Sequence, residues 1–443
     1  MDERFWKYAR ELLRGPDHGR ARRAEADSFE RTERDLLPRG LLRAQESLRG
    51  DPSRALRLGR FSEGPLAGED LFADARGLLA HSYALGVSGS GKSFLMLNLL
   101  ASVLRRGLAK SAVVLDPKGE TAELLTGTVL PAIAASLSAT EADAFLGRVV
   151  VIDPFSPTHL PPLNVLVRDP GAPIAVQARD VAECFETAAE TDVTARMETV
   201  LDWTLRLVIE TGGSFLTVRR ALQEPAVLEG LVRVAKDKDT VRYFLTRFAS
   251  EPKASKLALL ARLDRFLAMP MAQLSLGAKG CLDFDRLLED RITVVSLGNA
   301  PAGLRSVARF FAMVAMTRFV RAIFRRPQRA QGFASVVLAD EWQMVLNGSL
   351  ATEFESILTL ARSRGVYLWL ANQQLAQLDR HGAGLRSIAL GETANHFLLR
   401  LAAEDASALR HAFPTLGMRR RVGHGNVLAT ALTPAEEREA RVS

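Results

Sequence analysis

Eight residues constrain this chain more than any others: Gly86-Val87-Ser88-Gly89-Ser90-Gly91-Lys92-Ser93. They follow the apolar run Tyr83-Ala84-Leu85 and precede a leucine-rich amphipathic stretch that continues to about Arg106. The spacing GxxxxGK[ST], set between a strand and a helix, is that of a phosphate-cradling loop. Gly86, Gly89 and Gly91, with Ser88 and Ser90 between them, let backbone N–H groups turn inward around phosphate oxygens where bulkier residues would obstruct. Lys92 is spaced to reach the β- and γ-phosphates, and Ser93 to offer its hydroxyl to Mg²⁺. The following helix points its positive end at the same place. The expectation is a bound nucleoside triphosphate, ATP, with Mg²⁺.

A second constellation lies far downstream. Ser335-Val336-Val337-Leu338-Ala339 is an apolar run that ends in Asp340-Glu341. A buried strand delivering two carboxylates beside a phosphate loop assigns Asp340 to the metal and Glu341 to polarising the attacking water. Next come Arg362-Ser363-Arg364-Gly365, the apolar run Val366–Leu370 and Asn372-Gln373-Gln374. An amide at that strand tip, Gln373, is placed to sense the γ-phosphate or orient water. An arginine before the strand is placed to reach a neighbour's nucleotide in a ring. On chemistry alone, in a chain with only nine lysines among its 58 basic residues, Arg362 and Arg364 read more readily as surface residues.

Short apolar, β-branched runs at Tyr83–Gly86, Ala112–Leu115, Val149–Ile152, Ile292–Leu297, Val336–Ala339, Val366–Leu370 and His396–Leu401 alternate with helical stretches. That pattern predicts an α/β fold with a mostly parallel sheet covered on both faces. Between about 172 and 290 the β signal gives way to helical periodicity (Val181, Cys184, Phe185, Ala188; Val200, Trp203, Leu207), which predicts an inserted all-α domain. Residues 1–60, with Phe5, Tyr8, Leu12 and Leu13 at helical spacing, read as a short helical arm, and 433–443 as a charged tail. The nucleotide-binding domain is thus expected over 61–171 and 291–432. Cys184 and Cys281 are the only cysteines, far apart, which excludes a disulfide framework and makes a thiolate metal site implausible. His81 and His396 read as structural. No uncharged apolar run reaches the roughly 18 residues of a membrane span, since Arg318 and Arg321 interrupt Phe310–Phe324. Met1-Asp2-Glu3-Arg4 lacks a signal-peptide core, so a cytoplasmic chain with no transmembrane segment is expected.

The motifs together resemble the TraG/TraD-type conjugative coupling proteins, ATPases of type IV secretion in the HerA/FtsK superfamily of RecA-like motors. The resemblance rests on Gly86–Ser93, on Val113-Val114-Leu115-Asp116-Pro117-Lys118-Gly119-Glu120, and on Val151-Ile152-Asp153-Pro154-Phe155-Ser156 with Asn164 nearby. It continues through Asp340-Glu341, Arg362-Ser363-Arg364-Gly365, Gln373, Gln377-Leu378 and Asn395. It covers about residues 60–430, and its most specific element is Asp116-Pro117-Lys118-Gly119-Glu120. It implies a RecA-like P-loop core hydrolysing ATP, a ring that is usually hexameric, and DNA as the translocated substrate. Lys92 and Ser93 then bind phosphates and Mg²⁺, Asp340 supports the metal, and Glu341 activates water. Gln373 matches the sensor glutamine and Arg362 the arginine finger, with Arg364 the fallback. Lys118 and Asp116 come to the neighbouring strand tip, at the nucleotide edge.

Family members generally begin with transmembrane helices, absent from this sequence. Pairing with a separate membrane subunit through residues 1–60 is one way to the inner face of the membrane. A secretion channel and a relaxase are the other partners the resemblance implies. The formal net charge of +7 is compatible with backbone contacts to DNA, for which Arg325-Arg326 and Arg419-Arg420-Arg421 are candidate clusters. Trp203 and Trp342 read as core residues. Two other functions stay open: a nucleotide-gated module recruiting protein or nucleoprotein substrates, and a HerA-like DNA motor in repair or phage defence.

Overall fold

The structure, a computed structural model, describes residues 43, 45–60, 68–189, 194–328, 334–380, 382, 384–409, 418–422 and 425–429, the last two segments as backbone only. Most of the expected helical arm, the charged tail and the side chains of Arg419–Arg421 lie outside the described residues. The chain divides into two units, Met1–Gly77 and Leu78–Ser443. In the first, strands β1 (Ala55–Arg60) and β2 (Asp70–Asp74) pair antiparallel. Residues 55–60 therefore form a strand where helical periodicity had extended the arm to 60. The reason is long-range pairing. Asp70 accepts from Arg57 and Arg60, Asp74 from Arg54, and the Gln45 side chain bonds the Phe72 backbone in both directions.

In the second unit, seven apolar runs become strands: β3 (Ser82–Leu85), β4 (Ser111–Asp116), β5 (Val149–Ile152), β6 (Ile292–Ser296), β7 (Ser335–Asp340), β8 (Val366–Asn372) and β9 (Asn395–Leu398). They form one sheet in the order β5-β6-β4-β7-β8-β3-β9, and every ladder is parallel. Strands covered on both faces need apolar side chains in both directions; β4 and β7 are buried at all six positions each. Parallel register brings all carboxyl ends to one edge. Leu115 pairs with Ala339, Ala339 with Leu370, and Leu85 with Asn372. The residues at the ends of these four strands therefore meet. A separate hairpin pairs β10 (Met418–Val422) with β11 (Gly425–Ala429).

Helix α1 (Lys92–Arg105) follows the loop after β3 and buries Met96, Leu97, Leu99, Leu100, Val103 and Leu104. Helix α2 (Glu120–Leu124) follows β4. Between β5 and β6 the described residues carry helices and no strand, from α3 (Ile174–Ala189) and α4 (Ala195–Thr211) to α5 (Phe284–Asp290). This helical stretch shares one continuous apolar core with the sheet, through α6 (Arg305–Arg325). Phe310 on α6 packs edge-on against Phe185, Phe215 and Phe266 at ring distances of 6.4, 5.6 and 5.5 Å. The arginines that interrupt the apolar run of α6 are consumed internally. Arg321 forks onto Asp180, and Arg325 bonds Asp169 and Asp285. Arg326 is buried and donates to Ser335 Oγ. Arg326 is thus spent on the fold, while Arg325 stays partly exposed with its guanidinium engaged by two carboxylates. Among the described residues no helix is long and apolar enough to cross a membrane.

Glu186 on α3 stands near Glu198, Glu183 and Asp202, with Arg179 the opposing charge. Its Oε1 is buried without a hydrogen-bond partner. Burial first, then Glu198, pushes its carboxyl up from 4.5 to about 7. The folded chain then holds a proton where the unfolded chain does not. The penalty of the buried charge is present above about pH 7 and is relieved as the pH falls toward the unfolded value. Glu186→Gln removes that charge. In denaturant titrations the variant should unfold at higher denaturant than wild type at about pH 8 and lose the advantage by about pH 5.

Candidate functional site

The phosphate loop closes around its own backbone. Gly89 and Gly91 have φ of +71° and +90°, a region L side chains rarely adopt. A Cβ on Gly86 would stand 2.8 Å from Ser90 Oγ and 3.0 Å from Leu399 Cβ. Lys92 Nζ is buried and donates to the Gly86 carbonyl at 2.7 Å. Burial lowers its pKa, and Asp340 and Glu341 pull it back up. Ser90 Oγ is buried with no partner. The segment after β9 clamps the loop from the other side: Val87 N donates to the Arg400 carbonyl at 2.9 Å, and the exposed Arg400 guanidinium donates to the Ser88 carbonyl at 3.2 Å.

The acidic pair meets this loop. Asp340 Oδ2 accepts from Ser93 Oγ and from Thr121 Oγ1, both at 2.6 Å. Asp340 Oδ1 accepts from the Glu341 backbone N–H. Glu341 has φ 48° and ψ 45° and, among the described residues, is the lone non-glycine with positive φ. Such a conformation costs on the order of 1–3 kcal/mol and persists where the surroundings enforce it. Here Trp342 is buried and stacked on Phe354 at 4.7 Å, and the Glu341 carbonyl accepts from Met344 N. The strained turn aims the Glu341 carboxylate into a ring of donors. Lys118 Nζ reaches Oε1 at 2.7 Å, Gln373 Nε2 donates to the same oxygen, and Gln343 Nε2 reaches Oε2 at 2.7 Å. These donors hold its carboxyl below the usual range despite burial, which alone would raise it.

The supports of this ring are backbone devices. Asp116, at the end of β4, is buried, and desolvation raises its pKa. Its carboxylate accepts from Lys118 N at 3.0 Å and Ala122 N at 2.8 Å, which folds the turn between β4 and α2. Gln377 Oε1 accepts from Gln373 N and Gln374 N and sets the sensor turn. Gly119, at φ +88°, lies against Gly298; a Cβ there would stand 2.6 Å from the Gly298 Cα.

The residues present fit a magnesium-bound nucleoside triphosphate. A partnerless buried hydroxyl and a lysine satisfied only by loop carbonyls line the cradle, and Ser93 and Asp340 already face one another as metal ligands would. The structure gathers Gly86–Ser93, Asp340, Glu341 and Gln373. It places Arg362 apart from them. Arg362 is exposed at the end of α7 (Phe354–Ser363), just before the amino end of β8, whereas the loop follows the carboxyl end of β3. Arg364 is half-buried and donates to the Arg326 carbonyl. Thr121, Gln343, Arg400 and Gly298 are site residues that sequence reasoning missed. Thr121 directly follows the Asp116–Glu120 motif and Gln343 lies two residues from Glu341, which were usable signals; Arg400 and Gly298 carry none, because their roles depend on segments far away in sequence.

Fold and site together define a P-loop nucleoside triphosphatase with a RecA-like parallel sheet. Residues 70–250 match the family model described as the central domain of the helicase HerA. Two solved structures share the fold. One is the plasmid coupling protein TrwB in complex with ADP and Mg²⁺: TM-score 0.51, 17% identity, 87% of this chain and 84% of that one covered. The other is VirB4 of Thermoanaerobacter pseudethanolicus: TM-score 0.51, 15% identity, 86% and 97% covered. No curated protein matches the chain. The chain shares its fold with the coupling protein TrwB and with VirB4, and its residues 70–250 match the HerA central domain.

The Gly119–Gly298 contact makes a sharp demand. Gly119→Ala adds both a positive-φ strain of about 1–3 kcal/mol and a backbone clash. Thermal unfolding should show the variant destabilised by at least that amount, whereas Gly127→Ala, in open space on the same segment, should be close to neutral.

Proposed function

We propose that this chain is an ATP-hydrolysing, ring-forming DNA translocase that delivers DNA to a type IV secretion channel. The observation that carries the reading is the single hydrogen-bonded group in which Ser93, Asp340, Glu341 and Gln373 converge from the phosphate loop and two neighbouring strands. Lys92 and the loop N–H groups bind the β- and γ-phosphates. Ser93 and Asp340 hold Mg²⁺, which neutralises charge on the phosphates. Glu341 takes a proton from the attacking water, and Gln373 keeps the carboxylate aligned. The likeness to a coupling protein solved with ADP and Mg²⁺ supports these ligands.

Arg362 is assigned to the nucleotide of a neighbouring subunit, since it is exposed and lies away from its own loop. The assembly is a homo-oligomer, hexameric as in the resembled family. DNA is held through its phosphate backbone. The protein works in the cytoplasm, peripheral at the inner face of the membrane, with channel, membrane-subunit or relaxase partners. Recruitment of protein cargo is the second reading; Leu245, Leu257 and Leu274, each more than half exposed on the helical stretch, favour it.

ATP turnover of wild type and Lys92→Ala, each without DNA, with single strands and with duplex, tests the motor. Several-fold stimulation of wild type by DNA and a flat Lys92→Ala are expected. Wild-type turnover that responds to protein partners and ignores DNA moves recruitment ahead. Arg362→Ala should lose roughly 10³-fold or more in turnover. Mixing it with Lys92→Ala should restore part of the rate, because one variant supplies an intact loop and the other an intact finger. No recovery on mixing overturns the assignment in trans.

A further inference from the structure

Glu341 is a general base with one oxygen, Oε1, already fully occupied. Oε1 accepts from both Lys118 Nζ and Gln373 Nε2, and Oε2 from Gln343 Nε2. A carboxylate oxygen has two lone-pair sites, so Oε1 is filled. In this state Oε1 has no place for the proton of a water, and the site left on Oε2 is the one beside Gln343. For Oε1 to take that proton one donor must leave it, and the two on Oε1 differ in how firmly they are held. Gln373 is fixed at its backbone by Gln377 and follows directly on β8. Lys118 reaches in on a flexible stem; its side chain is 43% exposed, against 5% for Glu341.

Lys118 also stands within electrostatic reach of Lys92, whose ammonium feels Asp340, Glu341 and the repulsion of Lys118. It therefore borders the space where Lys92 meets the terminal phosphate. An ammonium there has two anions to choose from, the single charge of Glu341 and the larger charge of a γ-phosphate.

We propose that Lys118 is a positioning residue that reads the terminal phosphate. With a triphosphate in the loop its ammonium moves from Glu341 Oε1 to the γ-phosphate, which frees that oxygen to accept a proton. With a diphosphate it stays on Glu341 and keeps the base engaged. The turn that carries it is built for this position. Asp116 holds the Lys118 backbone N–H at 3.0 Å, and Gly119 seats the next residue against Gly298, so the backbone stays fixed while the side chain swings.

The inference rests on the nucleotide reading of the site, and the test separates the two. Affinities of ADP and of a non-hydrolysable ATP analogue, each with Mg²⁺, are measured by calorimetry on the full chain for wild type, Lys118→Ala, Lys118→Arg and Lys92→Ala. Wild type should prefer the triphosphate analogue. Lys118→Ala should lose about tenfold or more of that preference, the worth of one hydrogen bond to a charged group, with ADP affinity unchanged. Lys118→Arg should restore most of it. An unaltered preference in Lys118→Ala, or an equal fall for both nucleotides, overturns the phosphate-reading role while leaving the nucleotide site standing. Wild-type binding of neither nucleotide, or equal binding by Lys92→Ala, overturns the nucleotide reading and the inference with it.

Discussion

The hydrogen bond from Ser93 to Asp340 closes a loop of 247 residues, and the rest of the site is arranged about it. It exists because β3 and β7 run parallel in one sheet with only β8 between them, so their carboxyl ends reach the same edge. A one-residue slip of either ladder would turn every strand side chain to the opposite face. Both faces of this sheet are apolar, so the burial pattern alone specifies register weakly. Polar ends supply the missing specification. Ser111 and Ser335 bond each other and the Leu288 carbonyl at the amino end, while Asp116 and Asp340 anchor the carboxyl end. Buried polar groups of this kind cost stability if left unmet, so they penalise every other register.

At the catalytic edge the fold accepts strain. Glu341 sits in the left-handed region although it is neither glycine nor asparagine. Buried Trp342 on one side and the Asp340 side chain bonded to the Glu341 N–H on the other leave the turn no relaxed alternative. Strain held this way fixes a carboxylate among three donors without relying on its own flexible side chain. Such preorganisation is what a site for charge stabilisation needs, because the donors do not have to reorganise during reaction.

The helical stretch between β5 and β6 is inserted in sequence but not separate in packing. Phe185, Phe215 and Phe266 from that stretch surround Phe310 of α6, which also covers the sheet. The apolar run that came nearest to a membrane span is this buried hub. Its arginines reach carboxylates on other segments, Asp169, Asp180 and Asp285, and so tie the helical stretch to the core by charge as well as by burial. A displacement of the helical stretch would strain both the aromatic cluster and these pairs.

Much of this was legible in the residues alone. Seven apolar runs became the seven strands, and the phosphate loop and the carboxylate pair came from local spacing, because backbone-phosphate chemistry and strand burial impose short-range patterns. The helical reading of 55–60 failed because arginine–carboxylate pairs and a glutamine across the hairpin outweighed local periodicity. The Arg325-Arg326 cluster is tied into the fold for a similar reason, since its carboxylate partners lie up to 156 residues away. What the sequence by itself determined was the local patterns: the spacing of the phosphate loop, the carboxylate pair at a strand end and the amide at the next strand's tip. Only the tertiary structure decided which donors close on Glu341, that Lys118 and Gln343 join Gln373 there, and that Arg362 stands apart. Those facts depend on strand order, on the strained turn at Glu341 and on contacts such as Lys118 with Glu341, 223 residues apart, and no local pattern of amino acids carries them.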